Sequence, residues 1–155
     1  MSSLLEEFVG ITKALNDSEI DYAVCGGWAM AIHGFLRATI DIDLLILSDD
    51  LNKVREIANG QGFDIDGLPL NFDGGKIKIS RISKINRKSK SLITLDLLLV
   101  TDALSDVWAE RQRVRWNQGE YWIVSRDGMI VMKEMARREK DLIDLEFLRG
   151  NVNAS

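Results

Sequence analysis

Arg37-Ala38-Thr39-Ile40-Asp41-Ile42-Asp43-Leu44-Leu45-Ile46 is the stretch on which the fold turns. From Ile40 to Leu47 every residue except the two aspartates is apolar, the signature of a central strand. Residues two apart in a strand point to the same face, so Asp41 and Asp43 project side by side. Two bare carboxylates on such a segment are costly unless something compensates their charge. A divalent cation does so, and hard oxygen donors suit Mg²⁺, which takes one or two carboxylates together with substrate phosphates. A pair of exposed carboxylates at a sheet edge has the same sequence.

A third carboxylate lies downstream. Ile93-Thr94-Leu95-Asp96-Leu97-Leu98-Leu99-Val100 is a second buried strand with Asp96 at its middle. A strand-end aspartate paired into a turn is the alternative, and it is awkward with apolar residues on both sides. If the two strands are neighbours, Asp96 joins Asp41 and Asp43. Three clustered carboxylates match two-metal phosphoryl chemistry: two bridge the metals, and the third holds the catalytic metal and accepts a proton from an attacking hydroxyl.

Upstream, Val24-Cys25-Gly26-Gly27-Trp28-Ala29 sets a glycine pair between a short strand, Asp21 to Cys25, and a short helix, Trp28 to His33. Glycine allows close backbone approach and positive φ, and a helix start offers free N–H groups. Together these suit a phosphate. A tight strand-to-helix turn looks the same.

The rest of the chain completes one α+β domain over residues 1–150, with a polar tail at 151–155. Ser3 and Glu6 form a capping box ahead of an amphipathic helix through Leu4, Phe8, Ile11 and Leu15. Ser48 caps a helix bearing Leu51, Val54 and Ile57, with Gly60 beyond it. Phe63 to Phe72 is turn-rich, Lys76 to Ile82 alternates as a half-exposed strand, and Asn86 to Ser91 is a basic loop. Asp102 to Glu110 reads as a short helix. Arg113–Trp116 and Tyr121–Val124 flank a hairpin turn at Asn117–Glu120. Ser125 caps a helix to about Arg138, and another covers Asp141 to Leu148. The expected architecture is a small mixed sheet with helices packed on one side and two helices at the C-terminus.

Composition narrows the class. The 155 residues are 46% hydrophobic and 28% charged, enough for one core without staples. The single cysteine allows no internal disulfide and fits a reducing, cytoplasmic setting. No signal peptide is seen, and no stretch nears the roughly 20 apolar residues of a membrane span. A net charge of −4 disfavours general nucleic-acid coating. Lys76 to Lys90 is a local exception, basic throughout, and could guide a triphosphate, tRNA or another polyanion.

Gly26-Gly27, thirteen intervening residues and Asp41-Ile42-Asp43, with Asp96 on a later strand, resemble the signature of the DNA polymerase beta nucleotidyltransferase superfamily. Among its small members the chain is similar to lincosamide-type antibiotic nucleotidyltransferases in the Gly26-Gly27-Trp28 turn, in Arg37 before Asp41-Ile42-Asp43, and in the Lys-Asp-x-x-Asp pattern at Lys140, Asp141 and Asp144. It is similar to the AbiEii-type toxin group in Gly26-Gly27-Trp28-Ala29, His33-Gly34, Arg37 to Asp43, Lys133, and Lys140-Asp141-Leu142-Ile143-Asp144-Leu145. The resemblance covers residues 21 to 148. It implies binding of a nucleoside triphosphate and Mg²⁺, two ions with Mn²⁺ as a substitute, held by Asp41, Asp43 and Asp96. It also implies transfer of a nucleoside monophosphate to an acceptor hydroxyl, with Gly26, Gly27, Arg37, Thr39 and Lys133 on the nucleotide.

Each further residue has a plainer reading. Arg37 could meet a phosphate or an acidic neighbour, and Thr39, in register with Asp41, could be an ordinary strand residue. Lys133 either faces the nucleotide, as the resemblance implies, or snorkels at the surface. Arg137–Asp141 and Lys140–Asp144 suit i, i+4 surface pairs, although the resemblance implies an orienting role for Asp141. His33 reads as packing or capping, Cys25 as a small buried hydrophobe, and Trp28 as core. Trp108, Trp116 and Trp122 suggest core packing or a subunit interface, and a small open cleft suggests a homodimer or a cognate partner protein. The acceptor stays open among RNA or tRNA, protein and small molecule. Toxin–antitoxin or defence, antibiotic modification, and a non-catalytic nucleotide-binding or antitoxin-like module are the competing roles.

Overall fold

The first helix begins where the capping motif places it. In the computed structural model, which describes residues 3–35, 41–87 and 89–150, the Ser3 hydroxyl accepts the Glu6 amide at 3.1 Å. Helix α1, Leu4–Asp17, then buries Phe8, Ile11 and Leu15. Strand β1 is Ala23–Cys25, and α2 is Gly26–Ile32, starting at the glycine pair itself rather than after it. Strand β2 is Asp41–Ile46. A short 3₁₀ turn at Ser48–Asp50 leads into α3, Leu51–Gly60, and no side-chain cap is made there. The expected Ser48 cap is thus replaced by backbone that is already turning.

The turn-rich segment holds two short strands, β3 (Ile65–Asp66) and β4 (Leu70–Phe72). Both pair antiparallel with β5, Ile77–Asn86, which is longer than its alternating portion predicts. Strand β6 is Ser91–Leu99. After α4 (Ser105–Ala109), β7 (Gln112–Trp116) and β8 (Gly119–Ile123) form the hairpin. Its turn is tighter than Asn117–Glu120, because only Asn117 and Gln118 lie between the strands, with φ of 47° and 65°. Two positive φ values are what a two-residue hairpin of matching twist requires. Helix α5 is Arg126–Ala136, capped by Ser125, whose hydroxyl accepts the Gly128 amide at 3.0 Å. Helix α6 is Glu139–Leu148.

The strands form one mixed sheet in the order β3-β5-β6-β2-β1-β8-β7, with β4 also on β5. Strands β2 and β6 are parallel neighbours, and β1 and β8 are parallel as well. The other pairings are antiparallel. Alternation along β5 separates the two faces. Lys84 binds Glu7 of α1 at 3.0 Å, and Ser80 accepts from Arg55 of α3 at 2.8 Å. Helices α1 and α3 therefore back one face. The opposite face carries Arg81 and Asp96 and is overlooked by α5 and α6.

On the face backed by α1 and α3 the core is built by Ile42, Leu44, Leu95 and Leu97, all fully buried. Trp28 is core, as expected, stacked on Phe8 with ring centres 4.4 Å apart. Trp116 meets the same pair edge-on. Trp108 and Trp122 sandwich the Arg111 guanidinium at 4.0 and 5.1 Å, a use of arginine the sequence did not suggest. His33 ends α2, and its Nε2 lies 2.9 Å from the Val124 carbonyl, which fixes the helix to the sheet rather than to any chemistry. Among the described residues no helix is long and apolar enough to cross a membrane.

Candidate active site

Strand register builds the site. Asp43 sits directly beside Asp96 across β2 and β6. Arg81 is the next neighbour of Asp96 on β5, and Cys25 is the next neighbour of Asp43 on β1. Asp41 lies two residues along β2, on the same face. The three predicted carboxylates therefore come together on the floor of one cleft, of about 850 Å³ including its open mouth.

Gly26 is shaped by Asp43. Its φ is +65°, and a Cβ placed on it would fall 1.9 Å from Asp43 Oδ2. Only glycine leaves room for the carboxylate and accepts that backbone. Gly26 thus serves the aspartate before any phosphate. Gly27 is buried and also lines the cleft. Cys25 is buried, as expected, and burial beside Asp43 and Asp96 pushes its thiol well above the usual range.

The carboxylates are electrostatically crowded. Burial first, then Asp96 and Asp41, push Asp43 up to about 7, while Lys133 and Lys140 pull the other way. Burial and Asp96 also raise Asp41, opposed by Arg81 and Lys140. Asp96 is held differently. Arg81 Nε donates to its Oδ1 at 2.7 Å and Arg81 Nη2 to its Oδ2 at 3.0 Å. That fork raises the Arg81 pKa.

Among the described residues no three His, Cys, Asp or Glu side chains converge as a ready-made metal site. With Arg81 on Asp96, the third carboxylate is engaged elsewhere. Asp41 and Asp43 nevertheless fit a hard divalent ion: they are oxygen donors on one face, and burial and neighbouring carboxylates raise the pKa of both. Mg²⁺ needs no more than such a pair when phosphates complete its shell.

Lys133 is not at the surface. It is 6% exposed, and its Nζ lies 3.2 Å from Asp141 Oδ1 and 3.0 Å from Asp144 Oδ2. Both aspartates are fully buried. Arg138 closes the group, donating its backbone amide and Nε to Asp141 Oδ2 at 2.9 and 2.8 Å. Burial opposes ionisation of Asp141, but the Arg138 hydrogen bonds and the Lys133 charge outweigh it and lower the pKa. The expected helix-surface pairs at 137–141 and 140–144 give way to an inward cluster, because α6 packs its acidic face onto α5. An ammonium has three donors. One is donated to Asp141, Asp144 is held as an ion pair, and Lys133 also lines the cleft.

Three cleft cations escaped sequence reasoning: Arg81, Arg138 and Lys140. Arg81 was visible only as part of a charge run, Arg138 as a helix end, and Lys140 in the resembling motif and a helix pair. Beside the carboxylates the lining is apolar, with Phe72, Ile77 and Ile79 further along the same sheet and Met132 on α5. Arg138 reaches over the cleft, its guanidinium 5.9 Å from the Phe72 ring. Within the Lys76–Lys90 segment, Arg81 and Lys84 are committed to Asp96 and Glu7, so the run is not one continuous solvated patch. Two predicted nucleotide-binding residues, Arg37 and Thr39, lie outside the described residues, as does the 151–155 tail.

No family model matches the sequence, and no curated protein does. Solved structures do. A Thermotoga maritima protein assigned to the nucleotidyltransferases, TM1012, is 14% identical with a TM-score of 0.61, over 94% of this chain and 92% of that one. ANT(2")-Ia, solved with adenylyl-2"-tobramycin, is 14% identical with a TM-score of 0.65, over 94% and 87%. JHP933 from Helicobacter pylori is 18% identical with a TM-score of 0.55, over 94% and 64%. At such identity the likeness speaks to architecture, and by that measure this chain has a nucleotidyltransferase fold.

Proposed function

We propose that the protein is a metal-dependent nucleotidyltransferase, moving a nucleoside monophosphate from a nucleoside triphosphate to an acceptor hydroxyl and releasing pyrophosphate. The observation that carries this reading is the register of Asp43 beside Asp96, with Asp41 on the same cleft floor. Asp41 and Asp43, joined by Asp96, would hold Mg²⁺, which would neutralise charge at the phosphates and polarise the reacting phosphoryl group. Asp96 accepts the proton of the acceptor hydroxyl as its oxygen bonds to the α-phosphorus and the pyrophosphate oxygen leaves. Lys133, fixed by Asp141 and Asp144, places a cation against the phosphates. The apolar wall at Phe72 and Ile79 gives a base or an acceptor ring a surface to lie on.

The acceptor is less defined. A small hydroxylated molecule is favoured by the apolar lining beside the carboxylates and by the likeness to ANT(2")-Ia. An RNA acceptor would use Lys76, Lys78, Arg87 and Lys90, which stay exposed. An AbiEii-like toxin–antitoxin role rests on the motif resemblance. A non-catalytic nucleotide sensor on the same fold would retain binding without transfer.

The test is incubation with each α-labelled nucleoside triphosphate and Mg²⁺ or Mn²⁺, with total RNA, cell protein, and aminoglycoside or lincosamide drugs as acceptors. Transfer to one acceptor that falls about 10³-fold in Asp43→Asn supports the reading and names the acceptor class. Metal-dependent nucleotide binding without transfer would favour the sensor. Neither binding nor transfer would remove the site.

A further inference from the structure

Arg81 has a position that the proposed reaction does not use. It forks both oxygens of Asp96, the carboxylate that the reaction needs for metal and proton. The two ends of this pair differ in access: the Asp96 side chain is 7% exposed and that of Arg81 is 39% exposed. The stem of Arg81 is confined, because a Cβ on Gly67 would meet its Cγ and Cβ at 3.0 and 3.1 Å, and the Gly67 amide donates to the Arg81 carbonyl at 2.9 Å. The stem is thus held against Gly67, and the side chain ends on the cleft that it lines.

We infer that Arg81 is a substrate-binding residue that exchanges partners: its guanidinium neutralises Asp96 as the fork shows and moves to the triphosphate when Asp96 turns to metal. This rests on the nucleotidyltransferase reading of the cleft. Charge drives the exchange. A guanidinium does not deprotonate in proteins, so an arriving cation cannot share both Asp96 oxygens with it without repulsion. A triphosphate entering with that cation supplies oxygens of the geometry a guanidinium fork binds best. Arg81 faces the same cleft as Lys133 and Lys140, so the new partner lies within the same enclosure. The exchange also makes metal and nucleotide bind together, since metal alone must displace Arg81 without giving it a new partner.

The experiment compares wild type with Arg81→Gln and Arg81→Lys. Mn²⁺ binding is read by electron paramagnetic resonance without nucleotide. Binding of α,β-methylene analogues of the four ribonucleoside triphosphates is read by calorimetry with Mg²⁺. The expected result has opposite signs. Arg81→Gln binds Mn²⁺ about tenfold more tightly and the preferred analogue about tenfold more weakly, the scale of one charge-assisted hydrogen bond. Arg81→Lys keeps the charge without the fork, so it falls between, and it serves if the glutamine variant does not fold. Mn²⁺ affinity that is unchanged or weaker in the variants, with Asp43→Asn still abolishing it, overturns the exchange and leaves the metal site standing. Wild-type protein that binds no Mn²⁺ and no analogue overturns both.

Discussion

Gly26 and Asp43 share one space: a side-chain carbon on the glycine would lie 1.9 Å from the aspartate's Oδ2. The conformation and the vacancy at Gly26 are therefore a requirement of Asp43, and the strand-to-helix turn and the carboxylate stand or fall together.

Gly26→Ala is expected to lower stability by about 1–3 kcal/mol through backbone strain alone, and to remove Mn²⁺ binding by displacing Asp43. Gly60→Ala is the contrast. Nothing lies within 4 Å of its added carbon and its φ is not positive, so a gain of roughly 0.4–1 kcal/mol is expected. Chemical denaturation of both variants, with metal titration, checks this.

Stability should depend on pH with two opposite limbs. Asp43 is held up to about 7, above its unfolded value of about 3.9, so the folded metal-free state prefers its protonated form. Its contribution is fullest in acid and is lost as pH rises through about 7, and Mg²⁺ should restore it. Asp141 is lowered, so its contribution is present above the unfolded value and is lost as pH falls through the folded one. Thermal melts from pH 3 to 9 should fall at both ends. Asp43→Asn should flatten the alkaline limb and its Mg²⁺ dependence, leaving the acid limb in place.

Lys133→Met leaves Asp141 and Asp144 fully buried without their shared cation. A loss of about 3–5 kcal/mol is expected. Adding Asp141→Asn and Asp144→Asn should return part of that stability while nucleotide affinity stays lost. If affinity returned as well, Lys133 would be a structural residue only.

Ser125→Ala removes the cap of α5, at a cost of about 1 kcal/mol. Because α5 carries Lys133 and Arg126 binds the Leu148 and Phe147 carbonyls at the end of α6, fraying there should weaken nucleotide binding more than metal binding. Hydrogen exchange of the helix amides, set beside the two affinities, separates these effects.

The sequence shows the strands at Asp41 and Asp96 plainly because an aspartate within an apolar run has few explanations. The helix start at Ser3 and the cap at Ser125 were equally readable, since each depends on residues three apart. Strands β3 and β4 were not, because they owe their form to pairing with β5 and not to their own turn-rich composition. Arg81 was visible as an alternating strand residue, but its meeting with Asp96 depends on the hairpin register that closes between β5 and β6. Lys133 looked amphipathic from its own helix. Its burial is decided by the acidic face of α6, which the short-range pattern assigned to solvent.

The parallel pairing of β2 with β6 also orders events in time. The neighbours Asp43 and Asp96 are joined through α3, the β3 and β4 edge and all of β5. Closing so distant a pair is a slow step in folding. A nascent chain that has made β2 but not yet β6 holds the glycine pair and two of its three carboxylates without the third. The proposed site is thereby assembled only when the centre of the sheet is complete, and a product truncated before β6 is expected to show no metal-dependent nucleotide binding.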